Sequence, residues 1–208
     1  MGQIVKFPAQ TSKFGYRRVP RRARENDNPA QLSLFPTVTA QVLYLAPVSG
    51  PFEHGLLLDE RGDPAAVEFY LKAITEQNCV ADAYCNLGII ESKRGNTLKA
   101  LDCFTNSLKH HPRHSEAHYN LANIYFELND FRLAQIHYAL STEIDPSFPN
   151  SFFNLALVLS VNQEFAAAVA ALRRYQELVP AAEARKADEL LASLKKSLAA
   201  KQSAASRG

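Results

Sequence analysis

"ADAYCNLGIIESKRGNTLKALDCFTNSLKHHP", residues 81–112, decides the fold, because its pattern returns twice without a gap. "SEAHYNLANIYFELNDFRLAQIHYALSTEIDP" begins at Ser115 and "PNSFFNLALVLSVNQEFAAAVAALRRYQELVP" at Pro149, each 34 residues after the unit before it. Self-similarity at a fixed period of this length marks an array in which no unit can bury its apolar face alone, so that stacking supplies the core.

Read down the columns, each unit is a pair of helices. An aromatic residue or histidine opens it (Tyr84, His118, Phe152), then Leu (Leu87, Leu121, Leu155), then a residue small enough for another helix to approach closely (Gly88, Ala122, Ala156). Small residues return at Ala100, Ala134 and Ala168, large ones at Phe104, Tyr138 and Leu172, and Pro112, Pro146 and Pro180 close the units. Spacings of three, four and seven put these positions on one helical face, and polar stretches such as "RGN" and "LND" read as the turn inside each hairpin. The closing proline cannot donate to the helical ladder and ends the second helix.

With this arrangement of large, small and proline positions, residues 81–180 resemble the tetratricopeptide repeat family. The resemblance implies an all-α, right-handed superhelical solenoid of helical hairpins. The chain has no Trp, and Glu91 stands where the family usually has the Tyr that Tyr125 supplies one unit later. A worn first unit precedes, with Gly55, the turn "RGD", Asp63 as expected N-cap before Pro64, and Ala66, Tyr70 and Ala73 in phase. It is one residue shorter between its helices and lacks the closing proline, as an end repeat with one neighbour can. After Pro180, Leu190, Leu191, Leu194 and Leu198 share one face of an expected single capping helix over 181–200. The expected organisation is four repeats (about 49–80, 81–114, 115–148 and 149–180) with that cap, nine helices in all. A flexible basic arm and linker, 1–48, precede it, and a disordered tail, 201–208, follows.

Composition agrees with a globular body carrying a charged arm. Hydrophobic residues make up 47% of the 208, enough for a buried core. The net charge of +2 conceals a segregation: the first 24 residues hold seven basic and no acidic side chains, leaving 16 basic against 21 acidic in the rest. No apolar run is long enough for a membrane span or a secretory signal, and Lys6 stands where a myristoylation signal needs Ser or Thr. Cys79, Cys85 and Cys103 lack CxxC or metal-ligand spacing, which suits a reducing compartment and makes cytoplasmic residence the expectation. Glycine-rich phosphate loops, HExxH and nucleophile motifs are absent, so neither an enzyme nor a cofactor is expected. The histidines His110, His111, His114 and His118 lie within nine residues, but they read as core and turn residues and no metal site is expected.

Function is therefore expected on the groove lined by the first helix of each hairpin. Asn86, Asn120 and Asn154 share one phase there, and helix propensity does not account for three mid-helix asparagines. An amide offers donors and an acceptor to a peptide backbone, and some members of the family bind peptides through such a ladder. Members that grip acidic chaperone tails resemble one another in a clamp of Lys, Arg and Asn. Here the corresponding positions include Asp82, Cys85, Ile89, Glu116 and Tyr119, then Asn123, Phe126, Asn150, Phe153 and Leu157, with no Lys or Arg. An extended partner with large apolar side chains is the ligand such a floor suits.

Two further expectations concern the arm. Arg17, Arg18, Arg21, Arg22 and Arg24, among aromatic residues and prolines, form a polyanion-binding composition that suits nucleic acid. Beyond them "QLSLF" (Gln31, Leu32, Ser33, Leu34, Phe35), between Pro29 and Pro36, resembles the pentapeptide with which bacterial DNA-processing proteins dock onto the sliding clamp. That resemblance implies an apolar pocket for Leu34 and Phe35 and a polar subsite for Gln31. The same apolar stretch, continuing through Val42–Leu45, could instead strap the protein's own repeats.

Overall fold

The chain reverses at four equivalent points. Gly62, Gly95, Asn129 and Gln163 all hold left-handed backbone, with φ of 72°, 78°, 61° and 60°. After each, a backbone N–H reaches back to a carbonyl in the last helical turn: Asp63 to Leu58 and Asn96 to Glu91 at 2.9 Å, Asp130 to Tyr125 and Glu164 to Leu159 at 2.8 Å. This closure satisfies carbonyls that a helix end leaves orphaned, and glycine adopts it without the steric cost a Cβ brings. The polar turns read in the sequence are thus one repeated device.

In this computed structural model, which describes residues 50–205, these reversals separate paired helices. The pairs are α1 (Pro51–Glu60) with α2 (Ala66–Thr75), α3 (Val80–Lys93) with α4 (Thr97–His110), α5 (Ser115–Glu127) with α6 (Phe131–Ile144), and α7 (Pro149–Val161) with α8 (Phe165–Leu178). Each helix packs on its hairpin partner and each second helix on the first helix of the next hairpin, giving an all-α stack. The arm and the "QLSLF" stretch lie outside the described residues.

The repeated positions form the core. Tyr70, Phe104, Tyr138 and Leu172 are 0–2% exposed, and Ala66, Ala100, Ala134 and Ala168, each opposite a neighbouring helix, are 0–1% exposed. The close approach at the Gly positions is literal: a Cβ on Gly88 would meet the Phe104 ring at 2.6 Å, and one on Gly55 the Tyr70 ring at 2.8 Å. Glu91 does not pack as an aromatic ring would. Its carboxylate instead accepts from Asn96 Nδ2 at 2.7 Å and Arg94 at 3.0 Å, fastening the turn that follows, and the Asn96 bond leads the effects that hold its pKa below the usual carboxylate range.

Several local expectations change. The capping segment is not one helix over 181–200: a four-residue α9 (Ala181–Ala184) and a 3-10 turn, Arg185–Ala187, precede α10, which runs from Asp188 to Ala205. The break lets Ala187, Leu191 and Leu194 close over Ala156, Ala168 and Leu172. The described residues therefore hold ten α-helices rather than nine. Asp63 does accept from a backbone N–H, that of Ala65 at 2.9 Å, but it opens a tight turn and regular α2 begins only at Ala66. Where the first unit lacks its proline, Gln77 and Cys79 take left-handed backbone, and Asn78 Oδ1 between them accepts from Phe52 N–H at the start of α1, 3.1 Å away.

Candidate functional site

The residues expected to line the groove come from α3, α5 and α7, the first helices of three successive hairpins. Ile89, Phe126, Phe153 and Leu157 are half-buried with part of each side chain uncovered, and Ile89, Phe126 and Phe153 pack their inner faces on the cores. Phe153 leans on Tyr175 with ring centroids 5.1 Å apart, and Phe126 meets Phe131 edge-on at 5.4 Å. These contacts fix the rings and reduce the side-chain entropy a ligand would have to remove.

The three asparagines share a phase but not an environment. Asn86 is only 3% exposed and borders the Tyr70 hydroxyl, which burial holds protonated. Asn120 turns its Nδ2 back onto the Glu116 carbonyl at 2.9 Å. Asn154 Nδ2 lies 3.1 Å from Asn123 Oδ1, 3.2 Å from the Tyr119 hydroxyl and 3.3 Å from that of Tyr138. Tyr138 in turn donates to Asn123 Oδ1 at 2.6 Å. A row of three equally offered amides is therefore not present: Asn86 is withdrawn into the stack, and the donors of Asn120 and Asn154 are engaged internally. Tyr119 is likewise 9% exposed, wedged edge-on against Phe148 at 4.9 Å. What surrounds each amide, in its own helix and across the interface, differs from unit to unit, and the repeat period does not specify it.

Of the four clustered histidines, His111 and His114 meet edge-on with ring centroids 5.7 Å apart, and the other two turn elsewhere. His110 stacks on Tyr84 at 5.7 Å. His118 is 6% exposed, with Nε2 3.1 Å from the Pro112 carbonyl and Nδ1 2.9 Å from Nδ1 of His137. His114 caps α5, its Nδ1 accepting from Ala117 N–H at 3.2 Å, while its Nε2 meets Asp82 Oδ1 at 3.2 Å. Beside it stand two residues that the sequence pattern does not associate with it, Cys85 and Glu116. Burial first, then the Glu116 and Asp82 charges, push the Cys85 thiol well above its ordinary pKa. Burial also raises the Glu116 carboxyl, against the opposing influence of His114. Among the described residues no helix is long and apolar enough to cross a membrane.

A family model described as Tetratricopeptide repeat matches residues 79–147. The protein O-mannosyl-transferase Tmtc3 of Drosophila melanogaster is 28% identical over 132 residues, which are 62% of this chain but 14% of that protein. Among solved structures, the first TPR of Spaghetti bound to an HSP90 peptide is 24% identical, with a TM-score of 0.52 over 57% of this chain and 95% of its own. YrrB, described as a TPR protein with an unusual peptide-binding site, is 20% identical, with a TM-score of 0.55 over 62% of this chain and 68% of its own. A MamA crystal structure is 18% identical, with a TM-score of 0.53 over 73% of this chain and 96% of its own. Likeness at these identities carries the fold. The family-model match over residues 79–147, with the 34-residue period and the stacked hairpins, identifies these units as tetratricopeptide repeats.

Proposed function

We propose that the protein is a non-enzymatic adaptor whose groove takes an extended peptide with large apolar side chains. One observation carries this reading: Ile89, Phe126, Phe153 and Leu157 are half-buried on successive first helices, and none of the ten groove positions is Lys or Arg. Without cations an acidic tail would lose its water and gain no counter-charge, whereas apolar side chains gain by leaving water. The Spaghetti structure holds the acidic peptide SRMEEVD; the different lining here supports a different ligand chemistry. The grip comes from shape and apolar area, because the Asn120 and Asn154 donors already have protein partners.

Peptide display against the full chain tests this. Enriched sequences are expected to carry aromatic or aliphatic residues at alternate positions, and Ile89→Lys with Leu157→Lys to weaken their binding at least tenfold. Leu98→Lys, on a residue 83% exposed on α4, serves as the control and is expected to change nothing. Selection of acidic peptides, or binding indifferent to the groove lysines, would sink the reading.

A second reading rests on the sequence at Gln31–Phe35: recruitment to a sliding clamp, with the arginine-rich arm on DNA. A labelled peptide of residues 26–38 is expected to bind a purified bacterial clamp at micromolar concentration and to lose binding when Leu34 and Phe35 become Ala. No signal with the clamp removes this alternative and leaves the groove reading intact.

A further inference from the structure

We propose that Cys85, His114 and Glu116, with Asp82 at their edge, form a binding site for a divalent transition metal of the zinc type between the second and third hairpins. One ligand atom from each of the first three lies within 4.8 Å of the others. Asp82 Oδ1 stands 3.2 Å from His114 Nε2, so a fourth donor is already at the rim. A thiolate, an imidazole and carboxylate oxygens are the ligand types that four-coordinate zinc takes. Bonds of about 2.0–2.3 Å require ligand atoms about 3.3–3.8 Å apart, so closure asks for side-chain shifts of about an ångström.

The surroundings suit such an ion. Cys85 is 1% exposed and His114 7%, which gives a dry floor, while the Asp82 side chain is 38% exposed and provides a way in from the groove. Burial and the neighbouring Glu116 and Asp82 charges oppose ionisation of the Cys85 thiol. A dication reverses that opposition by attracting all of these charges. Loading has a definite proton balance: the Cys85 thiol proton leaves to solvent, and the His114 ring proton moves from Nε2 to Nδ1. That move surrenders the cap bond from Ala117 N–H, one hydrogen bond set against coordination by four groups. Asp82, Cys85 and Glu116 are also among the ten groove positions, so the site adjoins the peptide groove, but its test reads metal rather than peptide and the two proposals stand or fall separately.

The test is cobalt titration of the full chain, reduced and stripped of metal. The expected result is one equivalent of Co2+ bound with a thiolate charge-transfer absorption and the intense visible bands of a four-coordinate ion, both lost on adding Zn2+. Cys85→Ser should abolish the charge-transfer absorption. His114→Asn, which keeps a capping side chain, and Glu116→Gln should each weaken binding at least tenfold. A Cys79→Ser, Cys103→Ser double variant should bind as the parent does. The proposal is overturned if the parent shows no thiolate absorption, if the absorption survives Cys85→Ser, or if the double variant loses it. Should Cys85→Ser fail to fold, as judged by circular dichroism, Glu116→Gln decides: unchanged cobalt affinity in that variant also overturns the site.

Discussion

Phe104→Ala is expected to lower the free energy of unfolding by about 3–5 kcal/mol, read from urea denaturation followed by circular dichroism. The ring is 1% exposed and closes directly against Gly88, where even a Cβ would come within 2.6 Å of it. Its loss leaves a cavity walled by α3, α4 and α5, and the stiff helix backbone beside Gly88 has no side chain with which to fill it. The converse change, Gly88→Ala, overfills the same place and is expected to cost about 1–3 kcal/mol. The fourth repeat is one pairing of a larger with a smaller residue, Ala156 at the Gly88 position and Leu172, 0% exposed, at the Phe104 position, whereas the third repeat holds Ala122 with Tyr138. Gly88→Ala with Phe104→Leu should therefore be more stable than the sum of the single changes implies. Strict additivity in this cycle would mean that the two positions do not share one packing volume.

Acid should weaken the stack over a defined window, from about pH 6.5 down to about pH 4. His137 has its pKa depressed to about 4, first by burial and then by His118. His118 is depressed in the same direction by burial. The two rings stack with centroids 5.1 Å apart, and Tyr125 covers His137 at 5.6 Å. Because His118 Nε2 is placed to donate to the Pro112 carbonyl, its Nδ1 is the acceptor and His137 Nδ1 the donor. A proton added to His118 Nδ1 would put two N–H groups face to face. Folded-state pKa values below the unfolded value of about 6.5 mean that the unfolded chain binds more protons in this range. Stability is then complete above about pH 6.5 and falls as pH drops through the folded pKa. Partial exposure of His137 lets water screen the charge, so the discounted effect is about 1–2 kcal/mol between pH 7 and pH 4.5. Urea midpoints at the two pH values should differ more for the parent than for a His118→Phe, His137→Leu double variant. Equal pH dependence in the two proteins would show that other groups carry the acid sensitivity.

Much of the fold was legible because a solenoid repeats its local physics. Gly62, Gly95, Asn129 and Gln163 occupy one turn position, and Tyr70, Phe104, Tyr138 and Leu172 one core position, so each unit testifies for the others. The cap was less legible: leucine spacing in 181–200 was compatible with one helix, and only docking on α8 explains the 3-10 turn that breaks it. At the groove the residue types were legible and their availability was not. Equal phase suggested equal exposure for Asn86, Asn120 and Asn154, yet Asn86 is withdrawn beside Tyr70, Asn120 bonds a carbonyl of its own helix, and Asn154 bonds groups of the neighbouring hairpin. The Cys85, His114 and Glu116 group had no signal in spacing, since its members sit on two hairpins, and of the neighbouring histidines His110 and His118 turn elsewhere while His111 lies against His114.

The sequence by itself determined the helical period, the turn positions, the large and small core residues and a groove without cations. Those follow from contacts a few residues apart, which recur with the repeat. Only the tertiary structure decided which polar groups pair across the stack, which amides are withdrawn and which four ligand-bearing side chains converge. Such pairings depend on distances between separate hairpins, and a period fixes the phase of a side chain without fixing what stands opposite it.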